Sequence, residues 1–583
     1  MIAAFVRSAL LVALGCGLPS AAAAACTVQK LADLPVTMSG LRPMVSARIN
    51  GREGSFIADS GAFFSLISPG MAAAAGLRVM AAPPSFRITG IGGDTSAFYT
   101  TVKDLILAGI PLHNMEFFVG GTDTGTAGLL GQNILGGIGD VEYDLPDGVI
   151  RLMRSHDCGH ANLAYWAPEG AYTSISLMER NQANPHTIGT ITINGSPIRA
   201  TFDTGAPTSI LSLEAAARAG VKPGDPGVEP AGFTGGLGRS RVPVWFAHFA
   251  SVKIGDEVVH NPRLRIGDIR LKNSDMLIGA DFFISHRVYV ANSVRKMFLT
   301  YTGGNIFDQT ARRDGEQVSA PTQDQAQAPS DAEGFSRRGA VFAAQHDLTR
   351  ALADFSKAIE LAPHEARYRL ERAHAYLFEG KSESALADLD QAITLDPNDV
   401  PALIERAQLR VARHERAPAL ADLDAAARAV AGPAMERLEI AGIYDSLEAP
   451  EGAIVQYDIW IPAHHEDARL AQALNGRCWS RALAGQDLNK ALGDCDAALH
   501  LRPHTAAFLD SRGLVRLRMG DWDRAIADYD ESLKLTPKSA WSLFGRGIAK
   551  RHKGQTTEAQ KDIDDAVAIA PNLPARAKRA GIS

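Results

Sequence analysis

Shifted by 144 residues, the first half of the sequence falls on itself. Ile49, Asn50 and Gly51 recur as Ile193, Asn194 and Gly195, and nine residues after each asparagine stands an aspartate, Asp59 and then Asp203. The aspartates are followed by Ser60, Gly61, Ala62 in one copy and by Thr204, Gly205, Ala206 in the other, and Ser65/Ser209 and Ser68/Ser212 keep the same phase. A repeat of this length constrains the fold before any motif does, because the chain must build one unit twice. Each copy reads as β structure. An alternating strand reaches an Asn-Gly pair, the strongest short hairpin signal, and a second strand such as Ile198, Ala200, Phe202 leads to the aspartate. Both aspartates therefore stand where a buried strand ends in a tight loop.

Two further features repeat. About thirty residues past each aspartate lies a glycine-rich stretch flanked by strand-like residues, Gly90, Ile91, Gly92, Gly93 and then Gly235, Gly236, Leu237, Gly238, which reads as a hairpin tip. Farther on come Leu129, Leu130, Gly131 and Leu277, Ile278, Gly279, whose glycines lie 72 and 76 residues past their aspartates. Over roughly residues 35–302 this pattern resembles the aspartic proteases of retroviral type, whose units carry Asp-Thr/Ser-Gly-Ala, a glycine-rich flap and an apolar-apolar-glycine element behind the catalytic loop. The resemblance implies an all-β, two-lobed enzyme of pseudo-twofold tandem barrel units. Asp59 and Asp203 would be its catalytic pair, with Ser60, Gly61, Ala62, Thr204, Gly205 and Ala206 supporting them. The glycine-rich tips would be flaps over the substrate, and Leu130, Gly131, Ile278 and Gly279 would be the structural glycine elements. A third Asp-Thr-Gly, Asp123 to Gly125, lacks the preceding apolar strand and the following alanine and is set aside. The residue two past the glycine differs between copies, Asn133 against Asp281.

The chemistry explains why two units are needed. Hydrolysis without a covalent intermediate needs a base to activate water and an acid for the carbonyl oxygen, and two close carboxylates sharing one proton supply both. One unit supplies one carboxylate, so the duplicated chain can complete the pair within a single molecule. The substrate implied is an extended polypeptide, and neither a metal nor another cofactor is required. Ser60 in place of threonine and the unequal flaps leave an alternative open, a catalytically inactive peptide-binding envelope adaptor or scaffold.

The second half obeys another period. Pro363 and Pro397 stand 34 residues apart, as do Pro503, Pro537 and Pro571, and small residues such as Ala351, Ala358, Ala385 and Ala392 keep phase. This resembles the tetratricopeptide repeat, which implies an all-α solenoid of about seven motifs over 332–571 that presents a surface to a protein partner. The fourth motif, near 434–467, is divergent, and its His464, His465, Glu466, Asp467 cluster reads as a solvated turn. Residues 303–331, rich in Gln, Ser, Pro and Asp, read as a flexible linker between independently folding halves. Residues 572–583 read as a C-terminal tail.

The N-terminus, with Arg7, an apolar run and alanines ending at Ala25, reads as a signal peptide over 1–25, so the chain is expected to be exported, as into a bacterial periplasm. Lipoprotein anchoring through Cys16 is the alternative. Export leaves Cys26, Cys158, Cys478 and Cys495, an even set that permits the pairs Cys26–Cys158 and Cys478–Cys495 in an oxidising compartment. His156, Cys158 and His160 lack the second ligand pair of a zinc site. The lobes are accordingly placed at 26–158 and 159–302. With 59 Lys+Arg against 65 Asp+Glu and a net charge of -6, composition gives no case for nucleic acid as a partner. No later apolar stretch reaches the length of a transmembrane span.

Overall fold

The computed structural model describes residues 26–582 apart from 83–86, 92, 97, 121–125, 138, 160, 169, 181–185, 237–240, 305, 308–311, 314–328, 466 and 468. The expected signal peptide and Cys16 lie outside the described residues, as do His160, Glu466 and the third Asp-Thr-Gly.

The Asn-Gly pairs do what their chemistry favours. Asn50 and Gly51 adopt φ of 48° and 82°, and Asn194 and Gly195 adopt 48° and 79°, so both central residues of each turn are left-handed. The turns join Arg42–Ile49 to Arg52–Ala58 and Ile188–Ile193 to Ser196–Phe202. The second strand of each hairpin then lies parallel to the apolar-apolar-glycine segment of its own lobe: Arg52–Ala58 beside Gly128–Leu130, and Ser196–Phe202 beside Met276–Ile278. An eight-stranded sheet forms lobe 1, in which Arg42–Ile49 also pairs with Phe98–Leu107 and curls the sheet toward a barrel. A ten-stranded sheet forms lobe 2.

A third sheet of six strands joins the lobes. Asp140–Asp144 from lobe 1 pairs antiparallel with His286–Ala291 from lobe 2, with Thr27–Pro35 and Val149–His156 on one side and Lys296–Tyr301 and Thr173–Ser176 on the other. The Cys26–Cys158 disulfide closes its outer edge, beside the Thr27↔His156 pair.

Among the described residues the helical half forms seven antiparallel pairs, from Ala332–Ala344 with Leu348–Leu361 to Ala540–His552 with Thr556–Ile569. Small residues let the helices approach: Ala351, Ala358, Ala385 and Ala392 are fully buried, and a Cβ on Gly339 would fall 2.9 Å from the Phe355 ring. Six of these seven pairs are also clamped by an ion pair between a half-buried arginine and a buried aspartate. Arg338–Asp354, Arg372–Asp388, Arg406–Asp422, Arg512–Asp528 and Arg546–Asp562 recur at sixteen residues, and Arg477–Asp494 at seventeen. In the divergent fourth pair Arg437 donates instead to Gln456 Oε1 (2.6 Å). The Cys478–Cys495 disulfide ties the fifth pair together. No helix among the described residues is long and apolar enough to cross a membrane.

Four expectations change. Within the stretch taken for a flexible linker, 303–331, Ile306 and Phe307 are buried in the protease core, and Arg312–Arg313 adds to the strand Glu257–His260. Nor are the halves separate. Ala340, Val341, Phe342 and Phe355 of the first repeat share one continuous apolar core with Leu34, Val36 and Met38, and Gln345 Nε2 donates to Ile284 O (2.7 Å). The large apolar residues of the first repeat outweigh the polar composition between the halves. The C-terminal tail is a helix, Leu573–Arg579, whose Leu573 and Ala577 are buried and whose Arg576 and Arg579 pair with Glu448. The turn at 464–467 is solvated only in part: His465 is exposed, whereas His464 and Asp467 are 3% and 2% exposed and the His464 ring stacks on Trp460 at 4.1 Å.

Candidate active site

The two aspartate loops face each other across the lobe interface. A Cβ on Gly61 would fall 2.1 Å from Asp203 Cγ, and one on Gly205 would fall 2.3 Å from Asp59 Cγ, so only glycine lets each carboxyl rest against the opposite loop. Asp59 Oδ1 accepts from the amides of Gly61 (2.9 Å) and Ala62 (2.7 Å), and Asp203 Oδ1 accepts from those of Gly205 (2.9 Å) and Ala206 (3.1 Å).

The residues between fix the two loops to one another. Thr204 Oγ1 donates to Ala58 O (2.6 Å) and accepts from Ser60 N (3.0 Å), while Ser60 Oγ donates to Phe202 O (2.9 Å) and accepts from Thr204 N (2.9 Å). Ser60 and Thr204 are buried at 2% and 0% exposure, so these four reciprocal bonds are made away from water. Serine supplies the same hydroxyl as threonine, and its presence in lobe 1 costs the grip nothing.

Behind each loop the glycine elements repeat the symmetry. Asp59 N donates to Leu130 O (3.0 Å) and Asp203 N to Ile278 O (2.8 Å). Gly131 and Gly279 leave no room for a side chain, since a Cβ would fall 2.7 Å from Phe64 O in one lobe and 2.6 Å from Ala206 O in the other. Asn133 Oδ1 accepts from Ser65 N (2.9 Å) and Oγ (2.8 Å), and Asp281 makes the equivalent bonds to Ser209. Burial pushes the Asp281 carboxyl up to about 6 against these donors.

Electrostatics sets the pair apart from ordinary carboxylates. Burial raises Asp59 well above its usual value, with repulsion from Asp203 adding to it, and burial raises Asp203 as well. Such a pair holds one proton between its members.

At the mouth, Ile91 of the first flap packs with Ile210, Val244 and Leu277 of lobe 2, and a Cβ on Gly236 would lie 3.5 Å from Ile91 Cβ, so the flap tips meet. Gly90 and Gly93 close the hairpin of Arg87–Gly90 with Gly93–Ser96, and Gly235 follows the strand Glu229–Thr234. Gly92, Leu237 and Gly238 lie outside the described residues. The two walls differ. Lobe 1 carries the edge-to-face rings of Phe63, Phe64 and Phe118, at 4.6 and 4.8 Å between centroids, where lobe 2 has Pro207 and Thr208 after its loop.

Two nearby groups escape sequence reasoning. Gln132, next to Gly131, donates to Ser60 O (3.1 Å) and Tyr143 OH (3.4 Å), whereas lobe 2 has Ala280 at that position. His186 lies within electrostatic reach of Asp203, and burial holds its imidazole below its usual value. The 144-residue shift places it opposite Arg42, a pairing of unlike residues that carries no signal by itself.

The comparisons with known proteins agree with this architecture. Residues 45–137 match the gag-polyprotein aspartyl protease family, residues 189–282 match the aspartyl protease family, and residues 336–400 and 511–574 match the tetratricopeptide repeat. No curated protein matches the chain. Among solved structures, a tetratricopeptide repeat protein from Parabacteroides merdae is 17% identical over 43% of this chain and 97% of its own, with a TM-score of 0.31. YrrB, described as a TPR protein with an unusual peptide-binding site, is 18% identical over 39% of this chain and 98% of its own, with a TM-score of 0.24. No functional conclusion rests on likenesses this weak. The chain thus carries two aspartyl-protease domains in tandem, followed by a C-terminal array of tetratricopeptide repeats.

Proposed function

We propose that this chain is an exported aspartic endopeptidase that hydrolyses extended polypeptide segments with a water held between Asp59 and Asp203, and that its helical array recruits or positions a protein partner or substrate. The observation that carries the reading is the reciprocal Ser60–Thr204 grip, which holds two half-buried carboxylates against each other's loops. Meeting flap tips would exclude water and pair with an extended chain through main-chain hydrogen bonds. The two disulfides fit an oxidising compartment such as a bacterial periplasm.

The test is digestion of a peptide library by the full mature chain beside its Asp59→Asn and Asp203→Asn variants. Cleavage by the parent and its loss in both variants is the expected result. A parent that binds peptides without cleaving them would make the chain a peptide-binding scaffold. Fractionation of cells expressing the chain with and without residues 1–25 tests export.

A further inference from the structure

The two aspartate loops make matching hydrogen bonds, and they part at the peptide unit that faces each carboxylate. In lobe 1 that unit joins Ser60 to Gly61. Its N–H donates to Asp59 Oδ1 (2.9 Å), and its carbonyl accepts from Gln132 Nε2 (3.1 Å). In lobe 2 the unit joins Thr204 to Gly205, and its N–H makes the same bond to Asp203 Oδ1 (2.9 Å). The residue after the structural glycine is Ala280 there. Ala280 N donates to Ala206 O (2.8 Å) just as Gln132 N donates to Ala62 O (2.8 Å), but the alanine side chain has no donor to offer the loop.

The surroundings hold Gln132 to that bond. Gln132 is 3% exposed and Ser60 2%, so the contact is made out of water. A carbonyl only accepts, so the amide nitrogen faces Ser60 O and Oε1 points elsewhere. It lies toward Gly136, where a Cβ would fall 2.0 Å from Oε1 and 3.0 Å from Arg180 Nη1, so glycine leaves the space the amide needs. Arg180 Nη1 in turn donates to Asn292 Oδ1 (2.9 Å), and Asn292 Nδ2 donates to Gly139 O (2.7 Å). Gln132 Nε2 also reaches the hydroxyl of Tyr143 (3.4 Å), a buried ring in the sheet that joins the lobes.

We propose that Gln132 is a positioning residue for the dyad, setting the aim and the strength of the Gly61 N–H that holds Asp59. This rests on the endopeptidase reading and concerns how its lobe-1 carboxyl is held. Gln132 touches neither carboxylate and acts through the Ser60–Gly61 peptide. A donor on a peptide's carbonyl oxygen draws electron density from its nitrogen and makes its N–H the better donor, by about 10–30% per bond in a chain of hydrogen bonds. Such a chain runs here from Gln132 Nε2 through Ser60 O and Gly61 N to Asp59 Oδ1. A stronger donor favours the charged carboxylate, so the chain opposes the burial that raises Asp59, and Ala280 gives Asp203 no such help.

The experiment compares the full mature chain with Gln132→Met, which keeps the length and removes the donor, and Gln132→Glu, which keeps the shape and donates only when protonated. Labelling with 13C-carbonyl serine and threonine and with 15N-glycine lets NMR read the Ser60–Gly61 and Thr204–Gly205 amides separately. In Gln132→Met the Gly61 amide proton should move upfield while that of Gly205 stays in place. At an unchanged KM, kcat should fall by about 10- to 100-fold, the scale of a misplacement of up to about 1 Å, and its acid limb should move to higher pH. Gln132→Glu should match the parent's Gly61 shift at acid pH and depart from it as its carboxyl ionises, a reversal that a purely structural role would not produce. An unmoved Gly61 amide, equal movement of Gly61 and Gly205, or a Gln132→Glu shift equally far from the parent at every pH overturns the proposal. Gln132→Glu decides it alone if the methionine variant does not fold. A parent without turnover counts against the endopeptidase reading and leaves the amide shifts to decide this one.

Discussion

Asp281 and Asn133 occupy one position in two lobes, and the difference between them can be weighed. Both accept from a serine amide and hydroxyl behind the aspartate loop, but only Asp281 can ionise there. Burial pushes its carboxyl up to about 6 from an ordinary 3.8, although the Ser209 and Phe282 amides and the Ser209 hydroxyl act the other way. Below about pH 4 the group is protonated in folded and unfolded chains alike, and its contribution to stability is fully present. Between 4 and 6 the unfolded chain releases the proton that the folded chain retains, so stability falls as pH rises, and above 6 the full cost stands. At about 1.36 kcal/mol per pH unit the separation corresponds to ~3 kcal/mol, reduced to ~2 kcal/mol where solvent reaches the site. Asp281→Asn should therefore melt about 4–8 °C higher than the parent at pH 7.5, using 2–4 °C per kcal/mol for a domain of this size, and close to the parent at pH 4. The converse Asn133→Asp should lose stability at pH 7.5 with the same pH dependence. Thermal melts at the two pH values are the assay. A gain from Asp281→Asn that is equal at both, or none at pH 7.5, would refute the reasoning.

Other perturbations test other parts of the structure. Ala62 and Ala206 offer no hydroxyl to the carboxylates, so the shared proton should persist to higher pH than in pepsin-like enzymes; a pH–rate profile should peak at about 5–6, and Ala62→Thr with Ala206→Thr should move it toward acid. Thr204→Ala strands the Ser60 amide and the Ala58 carbonyl, costing about 2–4 kcal/mol in denaturant unfolding and most of kcat, whereas Thr204→Ser should retain both. Ending the chain after Tyr301 removes Ile306, Phe307 and the first repeat from the shared core, at about 1.5–3 kcal/mol per large side chain. That truncated protein should melt well below the full chain or aggregate, and an unchanged melt with full peptide turnover would show the docked solenoid to be dispensable. Reduction of Cys478–Cys495, which closes a loop of seventeen residues, should cost about 3 kcal/mol of solenoid stability, read by the loss of helical signal in denaturant.

Much of this protein is written locally. A left-handed Asn-Gly turn, an alternating strand and a glycine that admits no Cβ are decided within a few residues, so the two aspartate loops and their glycine elements are legible from the 144-residue repeat alone. The 34-residue period is equally local, because each helix pair meets through its own small residues. The arginine–aspartate clamps at sixteen residues were also open to a reader of the sequence, since the spacing from Arg338 to Asp354 recurs from Arg372 to Asp388, but charged residues on helices ordinarily face water and give no sign of burial. Other features belong to no local pattern. The pairing of Asp140–Asp144 with His286–Ala291, the docking of Phe342 into the protease core and the clasp of Arg576 and Arg579 on Glu448 join residues more than a hundred positions apart or in differently composed halves. His186 comes within electrostatic reach of Asp203 only once the start of lobe 2 is folded against the strand that carries the aspartate. Periodicity records which face of an element is buried, and the identity of what buries it is fixed only when the chain closes on itself.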